Sequence, residues 1–437
     1  MIQTLRNRVH FLTVLRNKNY RRYYFGLLAS VSSHQAMIAA LGWLVYDMTQ
    51  SPALVGTVAA VQALPSIVLS LVTGALADRI DQRRLIIFGE GGAALLIGVL
   101  VILIATGLVE PWHVMVIAFL AGVSISFDQP ARRSIWPVLI HRDHMLFATS
   151  LNQTAWAGTR VISPAIALGT IAVVGSMTGD FRVGASISFV LIALGFLGMV
   201  IAMTTIMMPV VPRSKGSNVL QDMIDGLAFT YRNRIFLVLM LMGFVTGYFG
   251  LSYQWLLPAF AEEVMGDGTG STQAILMTAN GVGGLAGVLG VASFGAYQNR
   301  GWLLIGGALA FGVAVVLFGA AGAWAFLPLA LFAAACAGAL HSLFQVAAGT
   351  VTNLIIPHEY RGRVLGLRGL TWSLAPMGAL QAGLIAEWVN TAFSIALGGI
   401  VVILFTLLMV LWSKELRNVR TLVDEAESIE WVRPAGR

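Results

Sequence analysis

The sequence predicts an all-α membrane protein with twelve transmembrane helices, arranged in two pseudo-symmetric bundles of six, and with both termini in the cytoplasm. Of its 437 residues, 57 % are hydrophobic and 11 % are charged, whereas soluble domains carry about 25 % charged residues. Apolar stretches of about 20 residues, the length that crosses a bilayer as a helix, recur along the chain. Basic residues concentrate in alternate connections between them. This composition excludes a soluble enzyme and a disordered chain.

The apolar stretches justify each predicted helix in turn. The predicted spans of the first half are 23–49, 53–77, 85–107, 112–131, 146–175 and 181–209, and those of the second half are 235–261, 272–297, 302–322, 324–354, 364–388 and 391–413. Several are longer than the bilayer requires, which predicts tilted helices or protruding ends. The first run is too long for the core of a signal peptide, so we expect it to be retained as the first helix.

Five domains follow from these spans. They are a basic N-terminal segment (1–22), a six-helix bundle (23–209), a cytoplasmic linker (210–234), a second six-helix bundle (235–413) and a charged cytoplasmic tail (414–437). In the linker, apolar residues recur at helical spacing from Val219 to Tyr231. This pattern predicts an amphipathic helix on the membrane surface between the two bundles.

The positive charges support this topology, because short cytoplasmic loops are enriched in lysine and arginine. With the N-terminus in the cytoplasm, Arg182 alone is placed outside and Arg160 alone lies deep within a span, while Arg368 is grouped with the cytoplasmic arginines. The outer loops carry acidic residues such as Glu110 and Asp180. The net charge of +7 is therefore attributed to cytoplasmic loops and not to nucleic-acid binding.

The two halves resemble each other at matching places. Residues 140–150 and 356–366 each follow a fourth span and open a fifth, and Ser163-Pro164 and Ala375-Pro376 are predicted to interrupt the two fifth spans at similar depth. Two parallel six-helix halves, each with internal inverted repeats, are a recurring plan among transporters.

The connection between the second and third spans, residues 74–84, carries the most specific motif. It has a glycine, then leucine-alanine-aspartate-arginine, and then a basic pair. This pattern resembles the loop signature of the major facilitator superfamily. Residues 43–52, 127–133 and 357–364 are similar to stretches in the subgroup of that superfamily that contains bacterial macrolide-efflux and siderophore-export proteins. The resemblance covers about residues 15–415.

The resemblance implies a proton-coupled exporter of the bacterial inner membrane that works by alternating access, moves a small molecule and functions as a monomer in contact with lipid. One departure is that serine and leucine stand near Pro164 where related antiporters often have glycines. We expect these loops to gate the cavity; the alternative, simple cytoplasmic retention of positive charge, is less favoured because acidic residues are interleaved with the basic ones at fixed places. The predicted gating residues are Gly74, Asp78, Arg79, Arg83, Arg84, Arg132, Arg133, Arg361 and Arg363.

Charged residues inside the spans are the strongest functional candidates, because each costs about 2.5 kcal/mol or more near the bilayer centre. Arg160 is predicted to face a central cavity and to attract an anionic or carbonyl-rich group; the alternative is that it bonds backbone carbonyls exposed by Pro164. Asp128 and Glu90 are the predicted proton carriers, since burial favours the protonated form of a carboxyl group. The alternatives are an ion pair of Asp128 with Arg132 or Arg133, and a bond from Glu90 to a neighbouring helix.

Polar and aromatic residues near the middle of several spans are predicted to complete a large amphipathic substrate cavity, although each is individually more typical of an interhelical hydrogen bond. They are His34, Gln35, Asn152, Gln153, Trp156, Tyr248, Tyr253, Gln254, Trp255, His341 and Gln345.

The sequence lacks a phosphate-binding Gly-Lys-Ser/Thr loop, a metalloprotease histidine pair and a nucleophile elbow. We therefore expect no enzyme activity, no metal and no cofactor. The function predicted first is proton-driven export of amphipathic, drug-like compounds. Dedicated export of an endogenous metabolite such as a siderophore is an alternative, and a lipid-handling or signalling membrane protein that transports nothing is a second.

Overall fold

The computed structural model describes residues 14–77, 81–141, 144–206, 219–293, 300–357, 360–419 and 421–422. Every regular element within these ranges is a helix. The helices of the first half are α1 (Lys18–Thr49), α2 (Pro52–Ala77), α3 (Gln82–Ala105), α4 (Pro111–Ile135), α5 (Met145–Thr178) and α6 (Phe181–Thr205). Those that follow are α7 (Val219–Arg232), α8 (Arg234–Val245), α9 (Ser271–Ser293), α10 (Arg300–Ala323), α11 (Leu327–Ile355), α12 (Arg361–Ser373), α13 (Ala375–Trp388) and α14 (Thr391–Trp412).

Eleven helices in the described ranges are long and apolar enough to cross a membrane. The one predicted span without a counterpart among them is 364–388, which the structure divides into α12 and α13. The division falls next to Ala375-Pro376, as predicted, because proline lacks the N–H group that continues a helix. The corresponding prediction for Pro164 is wrong, since α5 continues through that residue without interruption. The count of twelve spans and the cytoplasmic location of the termini stay predictions.

Local sequence signals explain where the helices begin and end. The Asn17 side chain accepts hydrogen bonds from the N–H groups of Asn19 and Tyr20 and thereby caps α1. Asp81 and Asp180 cap α3 and α6 in the same way. Gly179 ends α5 with a φ of +71°, a conformation that glycine adopts without steric strain.

The chain forms two compact units. Unit 1 comprises Met1–Gln50, Val61–Val219 and Gly268–Ala274, and unit 2 comprises Ser51–Ala60, Leu220–Asp267 and Ile275–Arg437. The change from one unit to the other at Val219 lies within the predicted linker 210–234, and almost all of α7 belongs to unit 2.

Each unit has its own apolar core. In unit 1, α1 packs against α5 and α6, and α3 packs against α4 and α6. In unit 2, α10 packs against α11 and α14, and buried Phe311 and Phe318 belong to the same apolar cluster as several alanines of α11. Large apolar side chains also cover the exterior, for example Phe88 and Leu95, each 71 % exposed. Such a surface is typical of helices that face lipid.

Candidate functional site

Three charged side chains meet inside unit 1, and we call them the acid–arginine cluster: Glu90 of α3 with Asp128 and Arg132 of α4. Arg132 forms ion pairs with both carboxylates, through Nη2 to Glu90 Oε1 and through Nε to Asp128 Oδ2. The Arg132 side chain is 7 % exposed and the two acidic side chains are 4 % exposed. Ser30 of α1 donates a hydrogen bond of 2.8 Å to Glu90 Oε1 and accepts one of 2.5 Å from Arg132 Nη2. The cluster therefore joins three helices.

Local sequence explains how this cluster forms. Asp128 and Arg132 are four residues apart, so their side chains lie on one face of α4. Gly89 lets α3 approach closely, because a Cβ atom at that position would lie 2.7 Å from the carbonyl oxygen of Ser124. Gly92 continues the same seam, where a Cβ atom would lie 3.0 Å from Ser124 Oγ. The two glycines thus allow Glu90 to reach the guanidinium of Arg132.

The charges in the cluster do not balance when both acids are ionised, because two carboxylates face one guanidinium. Glu90 Oε2 and Asp128 Oδ1 are buried and have no hydrogen-bond partner among the described residues. An uncompensated buried charge is strongly unfavourable. A single proton on either acid makes the cluster neutral, and a protonated carboxyl also gains an O–H donor.

His34 lies near this cluster on the same helix as Ser30. The two residues are four apart in α1, so His34 is one turn further along the same face. Its Nδ1 atom is buried without a hydrogen-bond partner in the part of the chain that the structure describes. A neutral imidazole carries one donor and one acceptor nitrogen, so this nitrogen is a hydrogen-bonding group that the described residues leave unsatisfied.

In unit 2, the helix that begins as α8 becomes irregular at Thr246. A π-helical turn at Thr246–Gly250, a 3₁₀ turn at Ser252–Gln254 and a second π-helical turn at Phe260–Val264 follow one another. Such π-helical turns occur frequently at functional sites. We call Thr246–Val264 the irregular segment; it carries predicted cavity residues Tyr248, Tyr253, Gln254 and Trp255.

A polar network holds this irregular segment against α9. Asn280 Nδ2 donates a 2.5 Å hydrogen bond to Tyr253 Oη and one of 3.1 Å to the carbonyl of Ala334. Gln254 Nε2 donates to Asn280 Oδ1 at 3.3 Å. Tyr253 is 1 % exposed, and its hydroxyl accepts the bond from Asn280 of α9. Of the two interpretations of Tyr253, an interhelical hydrogen bond or a substrate contact, this bond is the simpler one.

A second polar chain in unit 2 runs from α11 to α12. His341 Nε2 lies 3.3 Å from Gln345 Nε2, and its ring lies 5.0 Å from that of Phe311. Arg368 Nη2 donates to the carbonyl oxygen of Gln345 at 3.0 Å and to its Oε1 at 3.2 Å. The predicted residues His341 and Gln345 are thus brought together with an arginine that the sequence analysis assigned to the cytoplasmic loops.

Sequence reasoning missed Arg368 and Ser30 for different reasons. Arg368 follows two other arginines within eight residues, so a charge count places all three at the membrane edge, whereas it lies two helical turns inside α12. Ser30 is a small polar residue in a run of similar ones, and its spacing of four from His34 is the only signal in the sequence that could have indicated it.

The other predicted cavity residues of unit 1 lie on α1 and α5. Arg160 and Gln153 are exposed on α5, while His34, Gln35, Asn152 and Trp156 are half-buried. The role of each as a substrate contact stays a prediction.

The predicted gating residues have varied surroundings. Arg83 Nη2 donates a 2.7 Å hydrogen bond to the carbonyl of Thr204, near the end of α6. Arg84 lies 3.9 Å from Asp81 on an exposed surface, and Arg363 pairs with Asp225 of α7 at 3.6 Å. Gly74 lies in α2. The described part of the chain does not include Asp78 and Arg79, nor the side chains of Arg133 and Arg361.

Comparison with known proteins identifies the family of this chain. A family profile described as "transmembrane secretion effector" matches residues 11–435. The chain belongs to that family. Transmembrane secretion effectors are multi-pass membrane transporters of the major facilitator superfamily, so the expectation that this chain is a transporter and not an enzyme is confirmed.

Three relatives indicate the type of transporter. The chain is 25 % identical to macrolide efflux protein A of Streptococcus pyogenes over 86 % of its length and 92 % of the relative. It is 25 % identical to the multidrug efflux pump Tap of Mycolicibacterium fortuitum over 83 % and 88 %. It is 24 % identical to the staphyloferrin A transporter of Staphylococcus aureus (strain NCTC 8325 / PS 47) over 86 % and 92 %. The predicted resemblance to efflux and siderophore-export proteins is confirmed.

A solved structure supports the fold of this secretion effector. The crystal structure of a D-xylose-proton symporter matches with a TM-score of 0.70 and 16 % identity, over 91 % of this chain and 97 % of the other. At that identity the likeness establishes the major facilitator fold alone.

Proposed function

We propose that this transmembrane secretion effector exports amphipathic organic compounds from the bacterial cytoplasm by alternating access, driven by proton entry through the acid–arginine cluster. The observation that carries the proposal is the unequal charge of that cluster, in which two buried carboxyl groups share one guanidinium. The two relatives that are named as efflux proteins support the direction of transport. The transporter acts as a monomer, with substrate and protons as its ligands and lipid around it.

The proton step follows from charge balance. With one proton on Glu90 or Asp128 the cluster is neutral and stable in the low-dielectric interior. Losing that proton leaves one uncompensated negative charge, which favours a rearrangement that brings water or another positive group to the cluster. His34, one turn from Ser30 on α1, is the residue through which we expect the proton to leave or arrive. The predicted interhelical pairing and the predicted proton transfer are therefore compatible roles for the same two acids.

Substrate recognition is proposed to involve Arg160 and the other predicted cavity residues. Arg160 on α5 remains the proposed contact for an anionic or carbonyl-rich group in unit 1. If Arg160→Lys transports normally, recognition through the bidentate guanidinium is excluded. If Arg160→Ala also transports normally, Arg160 is not part of the site.

The decisive experiment reconstitutes the full-length protein in lipid vesicles that contain a pH-sensitive dye. Under an imposed pH gradient, the addition of a macrolide such as erythromycin should accelerate proton movement. Glu90→Gln and Asp128→Asn should abolish this acceleration while substrate binding persists. The matched control is Glu387→Gln, because Glu387 is an exposed acid that accepts a hydrogen bond from Ser51. Normal substrate-stimulated proton flux in both cluster variants would refute the coupling role.

Dedicated export of an endogenous metabolite such as a siderophore is the alternative function, and the similarity to the staphyloferrin A transporter favours it. A polycarboxylate chelator tested beside erythromycin in the same vesicles separates the two. Stimulation by the chelator alone supports the metabolite exporter. If no compound of any charge stimulates proton movement, the non-transporting, lipid-handling interpretation is supported instead.

A further inference from the structure

Basic side chains and an exposed apolar stripe meet at one end of unit 2. There α8 begins at Arg234, α14 ends at Trp412, and a short helical turn, Lys414–Arg417, follows α14 and packs against α8. The side chains of Arg234, Lys414 and Arg417 are all exposed. We call Arg234, Trp412, Lys414 and Arg417 the basic–aromatic surface.

The turn is anchored in the apolar core of unit 2. Leu416 is fully buried and belongs to the same cluster as Ile235 of α8. Ser413 caps the turn, since its hydroxyl oxygen accepts a 3.1 Å hydrogen bond from the Leu416 N–H group. Because Leu416 is held inside, the backbone that carries Lys414 and Arg417 has a defined position at the surface.

Arg234 is held by an aromatic ring. Its guanidinium carbon lies over the ring of Trp412, 5.1 Å from the ring centre, and the cation is attracted to the face of the indole. This contact positions the guanidinium but uses none of its five N–H donors in a conventional hydrogen bond. Trp412 is 44 % exposed, and tryptophans of membrane proteins concentrate at the level of the lipid headgroups. We therefore expect the Arg234 donors at that level.

The basic–aromatic surface carries an excess of positive charge. The turn contains one acid, Glu415, which interacts electrostatically with Arg234 and Lys414. Glu415 also accepts a 3.0 Å hydrogen bond from the Ser413 hydroxyl. Arg234, Lys414 and Arg417 carry three positive charges against this one negative charge, so these four residues together stay positive. Phosphate groups complement such a surface, because they accept charged hydrogen bonds from arginine and lysine.

An apolar stripe of α14 leads directly to this surface. Leu404, Leu408 and Leu411 share one face of the helix and are 60 %, 55 % and 75 % exposed. Trp412, four residues after Leu408, continues the stripe. From Leu404 to Trp412 the helix rises about 12 Å, which is most of the roughly 15 Å of hydrocarbon in one leaflet of a bilayer. Apolar contact, aromatic ring and positive charge thus follow one another as the acyl chain, glycerol region and phosphate do in a phospholipid.

From this order we infer that the basic–aromatic surface binds the phosphate of an anionic phospholipid, whose acyl chain lies along Leu404, Leu408 and Leu411. The inference goes beyond the export function and does not depend on the substrate or on the direction of transport. A zwitterionic lipid fits less well, because its own ammonium group offsets the phosphate charge. A soluble phosphate also fits less well, because it leaves the apolar stripe without a partner.

The test measures which lipid lies next to the stripe. Cys336 is the single cysteine of the chain, so Leu408→Cys in a Cys336→Ala background places one nitrobenzoxadiazole fluorophore there. The full-length protein is reconstituted in phosphatidylcholine vesicles that contain a fraction of nitroxide-labelled phosphatidylglycerol or nitroxide-labelled phosphatidylcholine. Both labelled lipids carry the nitroxide on the same acyl carbon. The ratio of quenching by the two lipids therefore gives their relative affinity for this place on the protein.

Phosphatidylglycerol should be preferred at Leu408 by at least about fivefold, the effect of one basic residue near an anionic headgroup. Arg234→Gln and Lys414→Gln should each lower this preference by about fivefold, and the two changes together should remove it. Arg234→Lys should keep most of it, because the charge remains. The matched control places the fluorophore through Phe393→Cys, which is also exposed but lies at the other end of α14. There the two lipids should quench equally.

Several results would overturn the inference. These are equal quenching by the two lipids at Leu408, an unchanged preference when Arg234→Gln and Lys414→Gln are combined, and the same preference at Phe393. An equal fall in quenching by both lipids in Arg234→Gln would show that Arg234 only ties α8 to α14 through Trp412. Displacement of the labelled lipid by millimolar glycerol phosphate would assign the surface to a soluble anion. If Arg234→Gln does not fold, Lys414→Gln decides the question, because Lys414 is exposed.

Discussion

Removing both acids of the acid–arginine cluster should destabilise the protein far more than removing either one. In Glu90→Gln, the ion pair of Asp128 with Arg132 remains and the cluster is neutral; in Asp128→Asn, the pair of Glu90 with Arg132 remains. Each single change loses one charged hydrogen bond but leaves one acid opposite the guanidinium, so the cluster is neutral without a bound proton and we expect a loss of at most about 1.5 kcal/mol in the free energy of unfolding. The double variant leaves Arg132 as a buried cation without either acid.

The magnitude for the double variant follows from its burial. Arg132 is 7 % exposed, and stranding one member of a buried ion pair costs about 3–5 kcal/mol. Adding Arg132→Met to the double variant removes all three charges. Because apolar replacement of a buried ionic group is often neutral or stabilising, we expect the triple variant to regain most of the lost stability.

Thermal unfolding in detergent, followed by the fluorescence of the 11 tryptophans, measures this series. The expected order of stability is wild type and the two single variants at the top, the triple variant close to them, and the double variant clearly lowest. If the double variant loses no more free energy of unfolding than the two single variants lose together, the charge-balance reasoning is refuted. A triple variant as unstable as the double would refute it equally, since it would place the loss in packing.

Three further predictions concern other parts of the chain. Gly89→Leu should separate α3 from α4 and lower the free energy of unfolding by about 1–3 kcal/mol, which thermal unfolding measures. The control is Gly98→Leu, whose side chain meets open space and should change the free energy of unfolding little. Neutralising Asp225 or Arg363 should lower the free energy of unfolding by less than about 1 kcal/mol, because both side chains of this 3.6 Å ion pair are about a third exposed. The same change should speed hydrogen exchange in α7. Unchanged exchange would show that the ion pair does not hold the helix. A backbone hydrogen bond and the hydroxyl group of Ser413, two residues earlier, hold the pKa of Glu415 below its usual range. The capped turn at Lys414–Arg417 should therefore be protected from exchange above the unfolded pKa of about 4.3, lose protection as the pH falls through the folded value, and show no such pH dependence in Glu415→Gln.

The linear order of the fold was largely predictable from the sequence. The bilayer requires long apolar helices, and this requirement acts on each segment by itself. Eleven of the predicted spans accordingly have counterparts. Proline chemistry predicted the division beside Pro376 but also an interruption at Pro164 that does not occur, because neighbouring helices and side chains can satisfy the freed backbone groups in one context and not in another.

The candidate site was predictable only in part. Glu90 and Asp128 stood out as acids within apolar helices, and the spacing of Asp128 and Arg132 suggested their ion pair. Nothing in the sequence indicated that one guanidinium serves both acids, since Glu90 and Arg132 are 42 residues apart and their contact depends on the close approach of α3 at Gly89. Arg368 was misplaced because a count of charges assigns a residue to a side of the membrane and says nothing of its depth.

By itself, then, the sequence determined that this chain is a membrane protein of many helical spans, because hydrophobic length and loop charge are properties that each segment carries alone. Tertiary structure decided which charges neutralise one another and which gather beside an apolar stripe. Those relations depend on distances between helices, and such distances are set by packing at a few small residues that leave no periodic signal in the chain.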